Sequence, residues 1–248
     1  MSSTPEQAVP DTLLATRPAE ADNLAMIARQ AIVDSHQAVF GYELFDRSTA
    51  SDAHSAASDA ALLFNALSYA GTESLVGEKL VFINCTHESL SGGHLELIHP
   101  EKVVLEVPTL PESATLQEIE ERIPTLAGLR KQGFRLAFSE QILRRQYVSW
   151  LPLAAFIKLD MMTFAPETAE SLVKFSRAQP NAQLIAVKVE PTAQPQLMAD
   201  LGVRLFQGYW FAKPALVQAH TIRPSQATVV QLINLVRKQA STAEIEDL

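Results

Sequence analysis

The stretch VFGYELF, residues 39–45, carries one acid, Glu43, inside a run of apolar residues. A second apolar run, Met26–Val33, precedes it along the chain. The five residues between the two runs are too few for a crossover but fit a hairpin, so the first strand should run antiparallel to the second. A carboxylate near the end of a strand makes Glu43 the first candidate site residue.

Six further apolar runs and several segments with helical periodicity continue this pattern to about residue 211. The runs are Leu80–Cys85, Val103–Val107, Arg135–Phe138, Phe156–Leu159, Leu184–Val189 and Leu205–Phe211. The helical segments are Ser58–Tyr69, Thr115–Gln132, Glu167–Ala178 and Pro195–Leu201, and Pro124 should kink or break the second of them. The alternation predicts an α/β fold, a TIM-like (β/α)8 barrel with the first strand antiparallel. The pattern alone fits an open doubly wound sheet about equally well.

Composition limits the function classes. The chain has 248 residues, 47% of them apolar, and a net charge of −8, which argues against a general nucleic-acid binder. It has no apolar run long enough for a membrane span and no signal peptide, so we expect no membrane partner. Cys85, the single cysteine, lies in an apolar run, is expected in the core and fits a cytoplasmic protein. The six histidines are scattered without metal-ligand spacing and are expected at the surface.

Three regions are expected from the pattern. Residues 1–24 should form a flexible leader, residues 25–220 the barrel, and residues 221–248 a helical extension. In that extension apolar residues recur at helical spacing from Val229 to Val236. Residues 241–244, STAE, resemble a capping box that announces a further helix. We therefore expect that the sequence is a piece of a longer protein.

Six positions in order along the chain resemble the EAL domain, a family that hydrolyses the bacterial messenger cyclic di-GMP with two metal ions. Glu43 matches the Glu of the EAL triplet, although Leu44 and Phe45 replace Ala and Leu. The other matching positions are Asn84, Glu106, Lys158 and Asp160 in IKLD, and Gln207 in QGYWF. The resemblance implies a metal set of Glu43, Asn84 and Glu106, ligand contacts from Gln30, Glu43, Arg47, Asp160 and Gln207, and vestigial catalytic roles for Lys158 and Glu140.

Four positions depart from the family pattern and affect the implied chemistry. Where the family has Asp-Asp after the fifth strand, this chain has Ser139 and Glu140, and a neutral hydroxyl cannot bridge two divalent ions as a carboxylate does. In the seventh strand Val187 replaces a Glu and Lys188 replaces a Gly. The resemblance therefore implies an incomplete site, with no resident cofactor unless the vestigial site still binds Mg²⁺ or Mn²⁺. Each retained residue also has a structural alternative, in which Lys158 pairs with Glu106 or Asp160 and Glu43 pairs with Arg47 or Lys158.

Two functions follow from this resemblance. The first is a catalytically degenerate signalling module whose partners are other signalling proteins, with possible cyclic di-GMP binding and homodimerisation. The start of the barrel and the tail are similar to proteins in which a degenerate EAL barrel precedes a helical HDOD domain, so such a domain could follow residue 248. The alternative is a metal-dependent cyclic di-GMP phosphodiesterase with weak residual activity.

Overall fold

The computed structural model describes residues 24–46, 77–92, 95–96, 98, 100–163, 168, 171–172, 174–175, 178–179, 181–189, 198, 200–209 and 215–220. The predicted leader before Leu24, the helix expected at 58–69, Arg47 and the C-terminal extension lie outside the described residues.

Nine strands of the described residues form one sheet that closes on itself. They are β1 (Leu24–Asp34), β2 (Val39–Asp46), β3 (Leu80–Asn84), β4 (Val103–Glu106), β5 (Arg135–Ser139), β6 (Ala154–Asp160), β7 (Gln183–Val187), β8 (Leu205–Phe206) and β9 (Ala215–His220). Strands β2 to β8 run parallel in chain order, and β1 closes the ring by pairing antiparallel with both β2 and β8. The predicted barrel with its antiparallel first strand is confirmed, and the open sheet is excluded by this closure.

The turn between β1 and β2 is held by the Asp34 side chain. Its Oδ1 accepts hydrogen bonds from the backbone N–H groups of His36 (2.8 Å) and Ala38 (2.9 Å). Gln37 has a φ of 62°, which lets the chain reverse within so few residues. The hairpin pairs Gln30 opposite Glu43, and the two candidate residues therefore become neighbours.

The end of the barrel differs from the prediction. β8 ends at Phe206, whereas the apolar run predicted a strand to Phe211. Gln207 follows in irregular backbone, and its N–H bonds the carbonyl of Ala186 (2.8 Å). The chain then returns as β9, which the sequence did not predict and which pairs antiparallel with Leu24–Arg29 of β1. Strand β1 is long enough to pair with β8 near its end and with β9 near its start.

The predicted segment 115–132 forms two helices, of which the first packs against the 3-10 helix Arg145–Leu153 and the second also against β5. Helix α1 (Leu116–Glu120) begins with a capping box, in which Thr115 Oγ1 accepts from Glu118 N–H and the Glu118 carboxylate accepts from Thr115 N–H. Helix α2 (Ile123–Lys131) carries Pro124 in its first turn, so the break expected at Pro124 is confirmed. The 3-10 helix follows β5 and buries Tyr147 and Trp150.

The strands are buried on both faces, as expected for a barrel wrapped by helices. Outward side chains join the helices in one large core. Inward side chains form a separate plug inside the barrel, made of Ile32, Phe82, Val104, Ala137, Phe156, Ile185 and Leu205. Cys85 is 6% exposed and belongs to the outer core, as predicted.

Candidate functional site

The candidate site lies directly above the apolar plug. Because side chains alternate along a strand, the residue two positions after each inward apolar residue also points inward, one layer nearer the carboxyl end. This layer is reached two residues past Phe82, Val104, Ala137, Phe156, Ile185 and Leu205. It holds Asn84, Glu106, Ser139, Lys158, Val187 and Gln207, with Glu43 from β2 and Gln30 from the antiparallel β1 completing the ring.

Glu43 lies at the centre of this layer and is only 5% exposed. Its Oε1 accepts a hydrogen bond from Asn84 Nδ2 at 3.0 Å. Its Oε2 accepts from Lys158 Nζ at 2.8 Å and from Gln207 Nε2 at 2.6 Å. Burial alone would raise the pKa of Glu43, but the charge of Lys158 and the hydrogen bonds from its three partners outweigh it and hold the pKa below its ordinary value. Glu43 is therefore a stable carboxylate.

Lys158 connects Glu43 to Glu106. Its Nζ lies 2.8 Å from Glu43 Oε2 and 2.6 Å from Glu106 Oε2, and all three side chains are at most 15% exposed. Burial would lower the pKa of Lys158, but the charges of Glu106 and Glu43 raise it above its ordinary value. Of the alternatives open from the sequence, Lys158 therefore pairs with Glu106 and Glu43, and not with Asp160.

One ammonium group cannot neutralise two buried carboxylates. Glu43 has three donors, whereas Glu106 Oε1 is buried without a hydrogen-bond partner. Burial and then the charge of Glu43 raise the pKa of Glu106 to about 7, against the opposing effect of Lys158. Glu106 is thus the group of the cluster that exchanges a proton near neutral pH.

The remaining predicted residues lie around this cluster. Gln30 is buried at 9% exposure, and its Oε1 accepts from Gln207 Nε2 at 3.3 Å, so it supports Gln207 at the floor of the site. Asp160 is one layer further out, and its backbone N–H lies 3.4 Å from Glu140 Oε2. Arg47 lies outside the described residues. The ligand contacts predicted for Gln30, Arg47, Asp160 and Gln207 stay predictions.

Lys188 is a site residue whose partner the sequence did not reveal. Its Nζ lies 2.6 Å from Asp160 Oδ2, across from β7 to β6. Its φ of 55° ends β7 at Val187, two residues before the predicted end. A φ in the left-handed region favours glycine at this position. The replacement of the family's Gly by Lys188 was the feature of the sequence that could have identified this residue.

His87 corrects the expectation that the histidines lie at the surface. It is half-buried, its Nε2 has no hydrogen-bond partner, and its ring packs edge-on against Trp150 with centroids 6.1 Å apart. Burial, and then the charge of Arg122, lower its pKa, and a backbone hydrogen bond at Pro108 opposes them. A neutral imidazole is therefore favoured here.

The Lys158 ammonium lies between the two carboxylates that the resemblance assigns to a metal ion, because Glu43 Oε2 and Glu106 Oε2 both accept a hydrogen bond from its Nζ. Ser139 reaches the same layer with only a hydroxyl. Within the described part of the chain, no three His, Cys, Asp or Glu side chains are grouped so that they could hold a metal ion.

Two cavities open above the layer, and Lys158 lines both of them. The first, of about 440 Å³, has Gln30, Glu43 and Gln207 at its floor and is otherwise walled mainly by apolar side chains. The second, of about 650 Å³, has Glu106, Asn84, Ser139, Glu140 and Asp160 among its walls. The molecule is thus a closed barrel with a buried carboxylate–lysine–carboxylate cluster below two cavities.

Two curated proteins are similar to this chain over most of its length. The cyclic di-GMP phosphodiesterase CdgJ of Vibrio cholerae is 27% identical over 218 residues, covering 85% of this chain and 49% of that protein. The uncharacterized protein YuxH of Bacillus subtilis is 24% identical over 228 residues, covering 86% of this chain and 53% of that protein. The chain thus spans about half the length of these curated relatives. No protein-family model matches it.

Solved structures share the fold. Klebsiella pneumoniae BlrP1, in complex with manganese and cyclic di-GMP, has a TM-score of 0.58 at 21% identity, over 80% of this chain and 58% of that one. Bacillus subtilis YkuI, a protein with an EAL domain bound to cyclic di-GMP and calcium, has a TM-score of 0.59 at 19% identity, over 86% and 60%. The Xanthomonas citri FimX EAL domain, bound to cyclic di-GMP, has a TM-score of 0.56 at 18% identity, over 76% and 87%. The chain therefore has the EAL-domain fold, as the sequence predicted.

Proposed function

We propose that this chain is a catalytically degenerate EAL-type signalling domain, which acts as a regulatory or protein-interaction module in cyclic di-GMP-related bacterial signalling. CdgJ is named a cyclic di-GMP phosphodiesterase, and BlrP1, YkuI and FimX bind cyclic di-GMP in their structures. These relatives support the connection with this nucleotide. The degenerate character rests on the site of this chain.

The observation that carries the proposal is the inward position of Ser139 and Val187, where the family pattern has carboxylates. Beside them the Lys158 ammonium lies 2.8 Å and 2.6 Å from the retained carboxylates of Glu43 and Glu106. A metal ion would have to displace this buried cation, and the inward side chains of Ser139 and Val187 supply no carboxylate in compensation. Loss of even one catalytic carboxylate commonly lowers a rate by orders of magnitude.

The test is a hydrolysis assay with cyclic di-GMP in the presence of Mg²⁺ and, separately, Mn²⁺. We expect no release of the linear dinucleotide above the rate of a Glu43→Ala variant. Turnover by the wild type that Glu43→Ala abolishes would overturn the proposal and favour the alternative, a metal-dependent phosphodiesterase with weak residual activity. The observation that favours this alternative is Glu106 Oε1, which is buried without a hydrogen-bond partner.

The localisation and the partners of the domain are proposals as well. We expect it to act in the cytoplasm, with other signalling proteins as partners and with homodimerisation and a following HDOD domain as further expectations. In the described part of the chain, no helix has the length and apolar character that crossing a membrane requires.

A further inference from the structure

The backbone at Lys188 is held in an unfavourable conformation by its neighbours. A φ of 55° is uncommon for a residue with a side chain other than Asn or Asp. Hydrogen bonds hold both flanks: Met161 N–H donates to Val187 O at 3.1 Å, and Val189 N–H donates to Gln207 O at 3.1 Å. A lysine here is therefore tolerated against local preference, an arrangement typical of functional positions.

Lys188 differs from Lys158 in what it can reach. Lys158 is buried and occupied by two carboxylates, whereas the Lys188 side chain is 60% exposed at the rim of the smaller cavity. Its ion pair with Asp160 is partly exposed, and such pairs contribute little net stability. Asp160 Oδ1 also accepts from Met162 N–H at 3.0 Å, so Asp160 keeps a partner if Lys188 turns away.

The smaller cavity combines largely apolar walls with an exposed cation, Lys188, at its rim. Its walls include Phe45, Val187, Val189 and the exposed side chains of Met162 and Tyr209, which offer apolar and aromatic surface to a base. Val187 places an apolar side chain in this wall where the family pattern has a Glu, whose charge would repel an anion. The exposed ammonium at the rim can donate a charge-assisted hydrogen bond to a phosphate oxygen.

We propose that Lys188 contacts a phosphate of the bound cyclic dinucleotide by exchanging its pair with Asp160, so that the site binds this ligand without a divalent metal ion. The inference rests on the proposed function, because it names the ligand class of the same barrel mouth. Lys188 takes over the charge neutralisation for which the incomplete metal set is unsuited.

The experiment is calorimetric titration of cyclic di-GMP into the chain in EDTA, with wild type, Lys188→Gln, Lys188→Gly and Lys188→Arg. We expect wild-type binding in EDTA, a loss of about tenfold or more in affinity for the Gln and Gly variants, and near-wild-type affinity for Arg, since guanidinium also binds phosphate. The slope of log Kd against the logarithm of the salt concentration should be smaller by roughly one in Lys188→Gln than in wild type. Lys131→Gln, an exposed lysine at the end of α2, is the matched control and should bind as wild type does.

The outcomes separate the two proposals. Equal affinity of wild type and Lys188→Gln in EDTA would overturn the role of Lys188 and leave the degenerate signalling domain standing. Binding that appears only with a divalent ion, or no binding under either condition, would overturn metal-independent binding as well. Hydrolysis of cyclic di-GMP in the separate assay with Mg²⁺ or Mn²⁺ would instead overturn the proposed function. Lys188→Gly should melt no lower than wild type, because glycine favours this φ, so weak binding by this variant is not explained by unfolding.

Discussion

At the scale of single residues, the site is organised by a mismatch of charges. Glu43 and Glu106 face one cation, Lys158, in a layer closed from below by apolar side chains. Glu43 takes the fuller set of donors, and Glu106 is left with one unpartnered oxygen. Lys158 is therefore a residue whose removal should affect the whole domain.

Lys158→Met should lower the free energy of unfolding by about 3–5 kcal/mol at pH 8, because two buried carboxylates lose their shared cation. The loss should shrink at pH 5, where protonation relieves one of the charges. Urea denaturation of wild type and Lys158→Met at the two pH values measures this loss of unfolding free energy. Lys102→Met removes an exposed pair with Glu78 (44% and 80% exposed) and should cost no more than about 1 kcal/mol. A Lys158→Met variant as stable as this control would contradict the prediction.

At the scale of elements, the 3-10 helix Arg145–Leu153 covers β5 and α1. Trp150 Nε1–H donates to the carbonyl of Ile119 at 3.0 Å, and its ring packs against Tyr147 and Phe138. The indole thus joins the end of α1 to the outer core and offsets the weak hydrogen-bond geometry of a long 3-10 segment.

Trp150→Phe should therefore lower the free energy of unfolding by about 2–4 kcal/mol, since it opens a cavity and leaves the Ile119 carbonyl without this donor. Chemical denaturation measures the difference. Val148 lies in the same 3-10 helix but is 63% exposed, and Val148→Ala should stay within about 0.5 kcal/mol of wild type. Equal effects of the two substitutions would show that the helix, and not the indole, is the source of stability.

A second element-scale prediction concerns Gly208, where the chain leaves β8. A Cβ at this position would lie 2.3 Å from Val189 O and 2.5 Å from Val189 N, and this backbone is itself bonded to Gln207. Gly208→Ala should cost about 2 kcal/mol or more and displace Gln207 from Glu43. Gly128→Ala in α2 meets nothing within 4 Å and should stabilise the domain by about 0.5–1 kcal/mol. Thermal unfolding of the two variants tests the contrast, and a stabilised Gly208→Ala would refute it.

At the scale of the whole molecule, the barrel couples its stability to pH through Glu106. The pKa of Glu106 is raised to about 7 from an ordinary value of 4.5, so between these values the folded state binds more protons than the unfolded chain. The Glu106 contribution to stability is therefore complete below about pH 4.5 and is lost as pH rises through about 7. The lowered pKa of Glu43 acts in the opposite direction, at lower pH.

Wild-type stability should accordingly contain a component of up to about 3 kcal/mol that falls between pH 5 and pH 8. Glu106→Gln should remove this component, because an amide does not titrate and can still accept from Lys158. Urea denaturation at several pH values compares the slopes, with the exposed Glu120→Gln as the control that keeps the wild-type slope. A Glu106→Gln variant with an unchanged pH slope would place the titration elsewhere.

The antiparallel first strand and the inward face of each strand follow from local patterns. Alternation along each strand places Glu43, Asn84, Glu106 and Lys158 on the inward face, and the short β1–β2 gap makes the first strand antiparallel. These features depend on residues close together in the chain, so the sequence is enough to predict them. The break at Pro124 is of the same kind.

The closing of the barrel and the pairing of charges depend on long-range contacts. Strand β9 forms because the start of β1 extends beyond β8 and offers an edge, which the sequence of residues 215–220 does not indicate. Lys158 is 115 residues from Glu43, and Gln207 is 164 residues from it, so no local pattern relates them. The closed ring sets the distances that decide which carboxylate is neutralised and that bring Lys188 to Asp160. Electrostatic energy depends on separation and burial in space and not on spacing along the chain.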